Sequence, residues 1–261
     1  MAEALISLLT LEPAFYAVAI FAVIITGISK SGLGGGLGQL SVPLMAAFVS
    51  PITAVTIMMP ILVLIDLMNI WGYRRNWHRG NLVVLLPGAV AGVGIGAVTY
   101  KYVDENLIRI LLGVIVMFFA LTYFNQKTVA DGGTRRGRVL GVLCGGLSGF
   151  TSFVAHAGGG PIKFYLVPQR LAPRIFVGTQ VMFFFLVNQM KFVSYFWLGQ
   201  FTVENVTTSL LLAPFAPLGV FLGWKLVNVI PQETFYIIVY LVLFSSGTKL
   251  IWDGLTRSGF I

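Results

Sequence analysis

Two stretches decide how this chain folds: TGISKSGLGGGLGQLSVP at Thr26–Pro43 and GFTSFVAHAGGGPIKF at Gly149–Phe164. Each places three consecutive glycines, Gly34-Gly35-Gly36 and Gly158-Gly159-Gly160, between two short apolar pieces. The pieces are about Ala14–Ser29 and Gly38–Val49 in the first case, Val139–Val154 and Ile162–Leu171 in the second. Glycine costs helix stability, so each triplet predicts a broken helix. Pro161 directly follows the second triplet, and proline favours the first helical position, so a helix is predicted to start there.

Outward from each break the chain is long, apolar and almost uncharged. Full-length segments run about Ile52–Tyr73, Leu82–Tyr100 and Leu107–Phe124, then Ile175–Trp197, Val203–Leu226 and Thr234–Trp252. Crossing a bilayer takes ~20 mainly apolar residues, because a helix rises ~1.5 Å per residue. Only 10% of the 261 residues are charged and 57% are hydrophobic, where a soluble domain carries roughly a quarter charged. A water-facing surface cannot be made from this composition. The chain is therefore expected to be an all-α, polytopic membrane protein with the lipid bilayer as its surroundings. The formal charge of +8 sits mostly in short loops, as positive-inside orientation requires, and does not point to nucleic acid. Met1–Pro13 has no basic leader region, so a removed signal peptide is not expected. Cys144 is the only cysteine, which excludes an intrachain disulfide.

The architecture is written twice. Laid together, Gly34–Gly36 face Gly158–Gly160, Pro51 faces Pro173, Asp66 faces Asn188 and Tyr73 faces Tyr195. Further on, Pro87 matches Pro214, and Gly92 and Gly96 match Gly219 and Gly223. Glycines four apart let membrane helices approach closely. The expected organisation is an N-terminal repeat at 1–125, a basic cytoplasmic linker at 126–138 and a C-terminal repeat at 139–261. Arg74, Arg75 and Arg79, the linker, and Arg170 with Arg174 mark cytoplasmic loops. These sides agree only if each glycine-broken pair makes an even number of crossings. Each half then has an odd total, and the two halves are inverted repeats. Lys249 and Arg257 would lie outside, against that rule.

Inside a bilayer, a helix break is tolerated where it is buried in protein or lines a polar cavity. A helix starting at a break aims free N–H groups and partial positive charge at the gap, which suits an anion. Two such starts related by pseudo-symmetry would converge near the midplane, as in inverted-repeat transporters. The alternative is that the glycines serve only tight packing. Candidate anion contacts are Ser29, Lys30, Ser31, Gly34, Gly35, Gly36 and Gln39 in the first half. In the second they are Thr151, Ser152, His156, Gly158, Gly159, Gly160, Lys163, Gln180 and Asn188. Lys30, Lys163 and His156 could hold the anion or offset its charge; the two lysines could instead snorkel to the interface. Asp66 and Lys191 lie in equivalent long segments and are the coupling candidates, Asp66 either exchanging protons or pairing with a lysine. His156 either titrates near neutral pH or is a structural hydrogen-bonding group. No metal or cofactor site is expected. A dinucleotide fingerprint would need glycine at Leu37, and no Gly-Lys-Ser/Thr phosphate loop exists. Carboxylate pairs and nucleophile–base sets for an enzyme are missing from the apolar segments.

The motifs GLGGGLGQLSVPLM and HAGGGPIKFYLVPQRL resemble those of the TauE/SafE family of sulfite and organosulfonate exporters. The resemblance covers nearly the whole chain. Its glycine motifs fall here on Gly34, Gly35, Gly36 and Pro43, and on His156, Gly158, Gly159, Gly160 and Pro161. It implies a bacterial inner-membrane protein that transports small sulfur-containing or carboxylate anions; with the two helix starts, the leading expectation is a secondary transporter or exporter of a small oxyanion, sulfite or an organosulfonate, working by alternating access around a midplane site. A passive anion channel, a membrane-embedded enzyme and a scaffold without transport are the rival expectations. Direction, coupling ion and oligomeric state, a homodimer included, stay open at this stage.

Overall fold

The computed structural model describes residues 13–35, 38, 41–45, 48–99, 110, 114, 117 and 135–258. Among these there is no strand. The first half contains α1 (Pro13–Gly32), the short α2 (Ser41–Met45), α3 (Pro51–Tyr73) and α4 (Arg79–Thr99). The second contains α5 (Arg135–Ala155), α6 (Gly159–Leu166), α7 (Pro173–Trp197), α8 (Val203–Leu212), α9 (Ala216–Val229) and α10 (Gln232–Arg257). Among the described residues six stretches are long and apolar enough to span a membrane: Pro13–Gly32, Ile52–Tyr73, Arg79–Thr99, Gly137–Val154, Pro173–Trp197 and Val203–Val229. The chain is a multi-pass α-helical membrane protein.

Local chemistry fixes the helix ends. Ser50 caps α3 by accepting the Thr53 N–H at 3.1 Å, with Pro51 in the first turn. Thr202 caps α8 in the same way, through the Asn205 N–H at 3.2 Å. Trp71 and Trp197 stand exposed at the ends of α3 and α7, where an interfacial belt places them.

Several boundaries differ from expectation. The pieces expected at Ala14–Ser29 and Val139–Val154 are the full-length helices α1 and α5, so only the second member of each broken pair is short. The linker is helical from Arg135 onward, because α5 extends through its basic residues. α6 starts at Gly159, two residues before Pro161, which occupies the third position. The first two turn positions need no side chain, so glycine serves them, and proline loses no hydrogen bond that early. The segment expected as one helix at Val203–Leu226 tightens into a 3₁₀ turn at Ala213–Phe215 around Pro214, which cannot donate to the turn before it. Of the segment at Leu107–Phe124, only Ile110, Val114 and Met117 are described, all helical.

The two halves interlock. α4 of the first packs along α5 of the second, and α1 of the first along α9 of the second. Both contacts are parallel and glycine-lined: Gly88 and Gly92 meet Gly146, Gly96 meets Phe153, Gly27 meets Gly219, and Gly32 meets Gly223. The spaced glycines matched in the sequence are thus contact points between halves. By contrast, α3 and α7 cross antiparallel: Tyr73 at the end of α3 lies by Gly178 near the start of α7, and Asp66 meets Asn188.

A Cβ on Gly27 would stand 2.9 Å from the Gly219 backbone, whereas one on Gly94 meets nothing within 4 Å. Gly27→Leu should therefore cost about 1–3 kcal/mol by overpacking, read as a lower melting temperature in detergent. Gly94→Ala should leave stability equal or slightly higher, by up to about 1 kcal/mol.

Candidate functional site

Each long inner helix carries a polar stripe at helical spacing. On α3 it is Asp66, Asn69 and Tyr73; on α7 it is Gln180, Asn188, Lys191 and Tyr195. All seven are buried. The antiparallel crossing of the two helices brings the stripes together, and the broken helices close over them.

The breaks have the same geometry in both halves, but in a register two residues off the triplet match: Gly34 corresponds to His156 and not to Gly158, and Gly159 and Gly160 lie inside α6. After α1 the chain turns at Gly34 (φ 66°), and the Gly35 N–H returns to Ser29 O at 2.7 Å. After α5 it turns at His156 (φ 52°), and the Ala157 N–H returns to Thr151 O at 3.2 Å. Positive φ suits glycine; at His156 a bulky side chain bears that conformation. Its ring is held at both ends, Nε2 at 3.1 Å from Val55 O and Nδ1 at 2.5 Å from Lys191 Nζ. Two tyrosines repeat the pattern: the Tyr73 hydroxyl donates to Ser31 O, and the Tyr195 hydroxyl to Phe153 O.

A continuous polar chain results. Lys30 Nζ lies 2.5 Å from Asp66 Oδ1, and Asn188 Nδ2 donates to Asp66 Oδ2 at 2.6 Å. Asn188 Oδ1 accepts from Lys191 Nζ at 3.3 Å, and Lys191 also donates to Ser152 Oγ at 3.2 Å. Donor counting assigns the protons. A carbonyl can only accept, so His156 carries its proton on Nε2 and leaves Nδ1 bare. Lys191 then faces three acceptors, matching the three N–H bonds of an ammonium. Its partners Ser152, Asn188 and His156 are all neutral, so Lys191 has no carboxylate of its own.

Beside this chain lies a cavity of about 40 Å³, lined in part by Lys30, Gly35, Ser152, His156, Gly159 and Asn188. These six come from both halves, and all were expected from the sequence. Asp66 and Lys191 stand directly behind them. The remaining candidates take other positions. Ser29 accepts the Gly38 N–H at 3.1 Å, so the amides of Gly35 and Gly38 are both engaged by Ser29. Thr151 turns its hydroxyl to Ser148 O and Ala157 O. The Gly158 carbonyl accepts from Ser148. The Ser31 hydroxyl and both polar atoms of Gln180 are buried without partners among the described residues, Gln180 packing against Gly34. Lys163 is fully buried, with no partner for Nζ among the described residues, and does not line the cavity. Gly36 and Gln39 lie outside the described residues. In the second half the amides of Gly159 and Gly160 open α6 with no acceptor among the described residues.

Sequence inspection missed Thr26, Gly38, Ser41, Leu62 and Phe184, which complete the lining. Phe184 presents its ring 5.9 Å from Lys30 Nζ, a cation–π contact. A signal existed: Phe184 lies between Gln180 and Asn188 at intervals of four, on the same helix face.

Removing one partner of a buried ion pair leaves an uncompensated charge. Lys30→Met should lower stability by about 3–5 kcal/mol in detergent unfolding, and Lys30→Met/Asp66→Leu should recover most of the loss. His156→Asn should keep the fold, since asparagine tolerates positive φ. The check is a monodisperse elution profile and a near-native melting temperature.

The comparisons with known proteins agree with this architecture. No curated protein and no solved structure matches the chain. The family description "Sulfite exporter TauE/SafE" matches residues 19–250, which take in both glycine breaks and every described residue of the polar chain. With that match across most of its length, the chain belongs to the TauE/SafE family of membrane sulfite exporters.

Proposed function

We propose that the protein is a secondary transporter that exports sulfite, one ion at a time, from a site between its two broken helices. The single observation carrying this is Lys191: a fully buried side chain whose three hydrogen-bond partners are all neutral. With Lys30 paired to Asp66, the cluster keeps one positive charge in excess. A buried charge is costly unless compensated, and a small anion in the adjoining cavity compensates it. Lys30, Ser152 and the open amide of Gly159 supply donors on the cavity wall, and His156 lines it while holding Lys191 in place.

Cavity size narrows the substrate. About 40 Å³ corresponds to roughly three waters, the bulk of a four-atom oxyanion. That favours sulfite over the longer organosulfonates. The match between halves supports alternating access. The closing bonds, the positive-φ turns and the two tyrosine anchors all recur 122 positions apart. Asp66 and Asn188, also 122 apart, bond to each other, as equivalents on a pseudo-two-fold axis do. In this mechanism the halves at 1–125 and 139–261 are inverted repeats that rock about that axis. Asp66 and Lys191 transmit occupancy from one helix to the other, and the setting is a bacterial inner membrane.

Proteoliposomes loaded with sulfite test this. Lys191→Met should slow efflux at least about 30-fold, as loss of roughly 2 kcal/mol of charge-assisted binding requires. Sulfite should compete for the site better than a sulfonate of longer carbon chain. Efflux unchanged in folded Lys191→Met would refute the site.

A further inference from the structure

A second and larger cavity lies at the opposite end of the α3 stripe. Its volume is about 400 Å³, and its lining includes Trp71, Arg74, Arg75, Arg174, Trp224 and Asn228. It plays no part in the sulfite site described above. The end of α3, the turn after it, the start of α7 and the end of α9 converge there. The sequence places Arg74 and Arg75 in one basic loop and Arg174 in another; the fold joins them at one cavity.

Its electrostatics are one-sided. Among the described residues no carboxylate pairs with Arg74, Arg75 or Arg174. Arg174 donates to Asn228 Oδ1 at 2.8 Å and lies over the Tyr73 ring, and Arg74 lies over the Trp71 ring. Stacked guanidinium groups are held in place with N–H groups still free, which is the arrangement that binds phosphate oxygens. Trp224 forms the floor, packed on Gly72 and donating to Asn69 Oδ1 at 2.9 Å.

An apolar track leads away from this basic mouth along the outer surface. Leu67 and Trp71 on α3 are exposed to 54% and 68%, and Phe221 on α9 to 57%. Trp71 and Phe221 both pack against Trp224, with ring centroids 6.2 and 5.3 Å away. A free phosphate would use only the arginines. A lipid would use both parts, its headgroup in the basic cavity and an acyl chain on the track.

We propose that this cavity is a binding site for an anionic phospholipid, its phosphodiester held by Arg74, Arg75 and Arg174 at the membrane surface. Basic pockets between membrane helices suit such headgroups, each arginine near the surface contributing about 1 kcal/mol. An occupied site would tie the end of α3 to α7 and α9, the elements that carry Asp66 and Lys191.

The purified full-length chain in mild detergent provides the test. Its melting temperature is followed while phosphatidylglycerol, phosphatidylcholine of the same acyl chains, or inorganic phosphate is added. Phosphatidylglycerol should raise it well above phosphatidylcholine, and phosphate alone should not. Arg74→Gln/Arg75→Gln/Arg174→Gln should weaken the apparent lipid affinity roughly 100-fold. Arg75→Gln alone should weaken it about fivefold, and Arg138→Gln, at an exposed arginine on α5, should leave it unchanged. Trp71→Ala should weaken the lipid response too. Equal responses to the two lipids, a lipid response that survives loss of all three arginines, or a phosphate response as large as the phosphatidylglycerol one would overturn the proposal.

Discussion

A carboxylate and two lysine amines lie between helices long and apolar enough to span a membrane. Such groups are stable there only if every lone pair and N–H bond finds a partner. The chain from Lys30 through Asp66, Asn188 and Lys191 to His156 meets that demand almost completely, and it dictates much else. It requires α3 and α7 to cross where Asp66 meets Asn188. It requires both broken helices to end nearby, one to deliver Lys30 and the other His156 and Ser152. What it leaves over is one lysine, Lys191, bonded only to neutral groups beside a small cavity.

The glycines perform two separate tasks, and the structure divides them. Those within helices, such as Gly27, Gly88, Gly219 and Gly223, let helices of opposite halves touch backbone to backbone. Those at the breaks shape the turns, with Gly34 and Gly35 at positive φ. The equivalent of Gly34 in the second half is His156, which accepts the same backbone conformation. A glycine there would relax the turn but leave Lys191 short of one acceptor. The halves have therefore diverged at the point where an imidazole is useful, and the site is chemically asymmetric although the backbone around it repeats. Lys30 and Lys191 show the same divergence, since Ser152 and Asn69 occupy their equivalent positions.

Interlocking bears on motion as well. α1 packs on α9 and α4 on α5, so each half is clasped by helices of the other. The relative movement that the proposed mechanism calls for would be carried where packing is discontinuous: at the turns of Gly34 and His156, at the 3₁₀ turn around Pro214, and at the α3–α7 crossing. The two turns at the breaks and the α3–α7 crossing are also places from which the cavity is built.

Much of this was legible in the residues. Apolar runs of spanning length, separated by short basic loops, can only be membrane helices, because hydrocarbon leaves the backbone no partner but itself. The two glycine triplets announced the breaks, and the internal match paired Asp66 with Asn188 and Tyr73 with Tyr195 before any contact was known. Other features depend on which helices meet. That Lys30 pairs with Asp66, that Lys191 keeps only neutral partners, that Lys163 stands away from the cavity wall while Phe184 lines it, and that arginines from two loops share one basin are all consequences of three-dimensional packing. Local sequence sets where a helix starts, ends or breaks, since those choices turn on nearby backbone hydrogen bonds. The partner of a buried charge is chosen by a helix that can lie more than a hundred residues away, and no local rule encodes that distance.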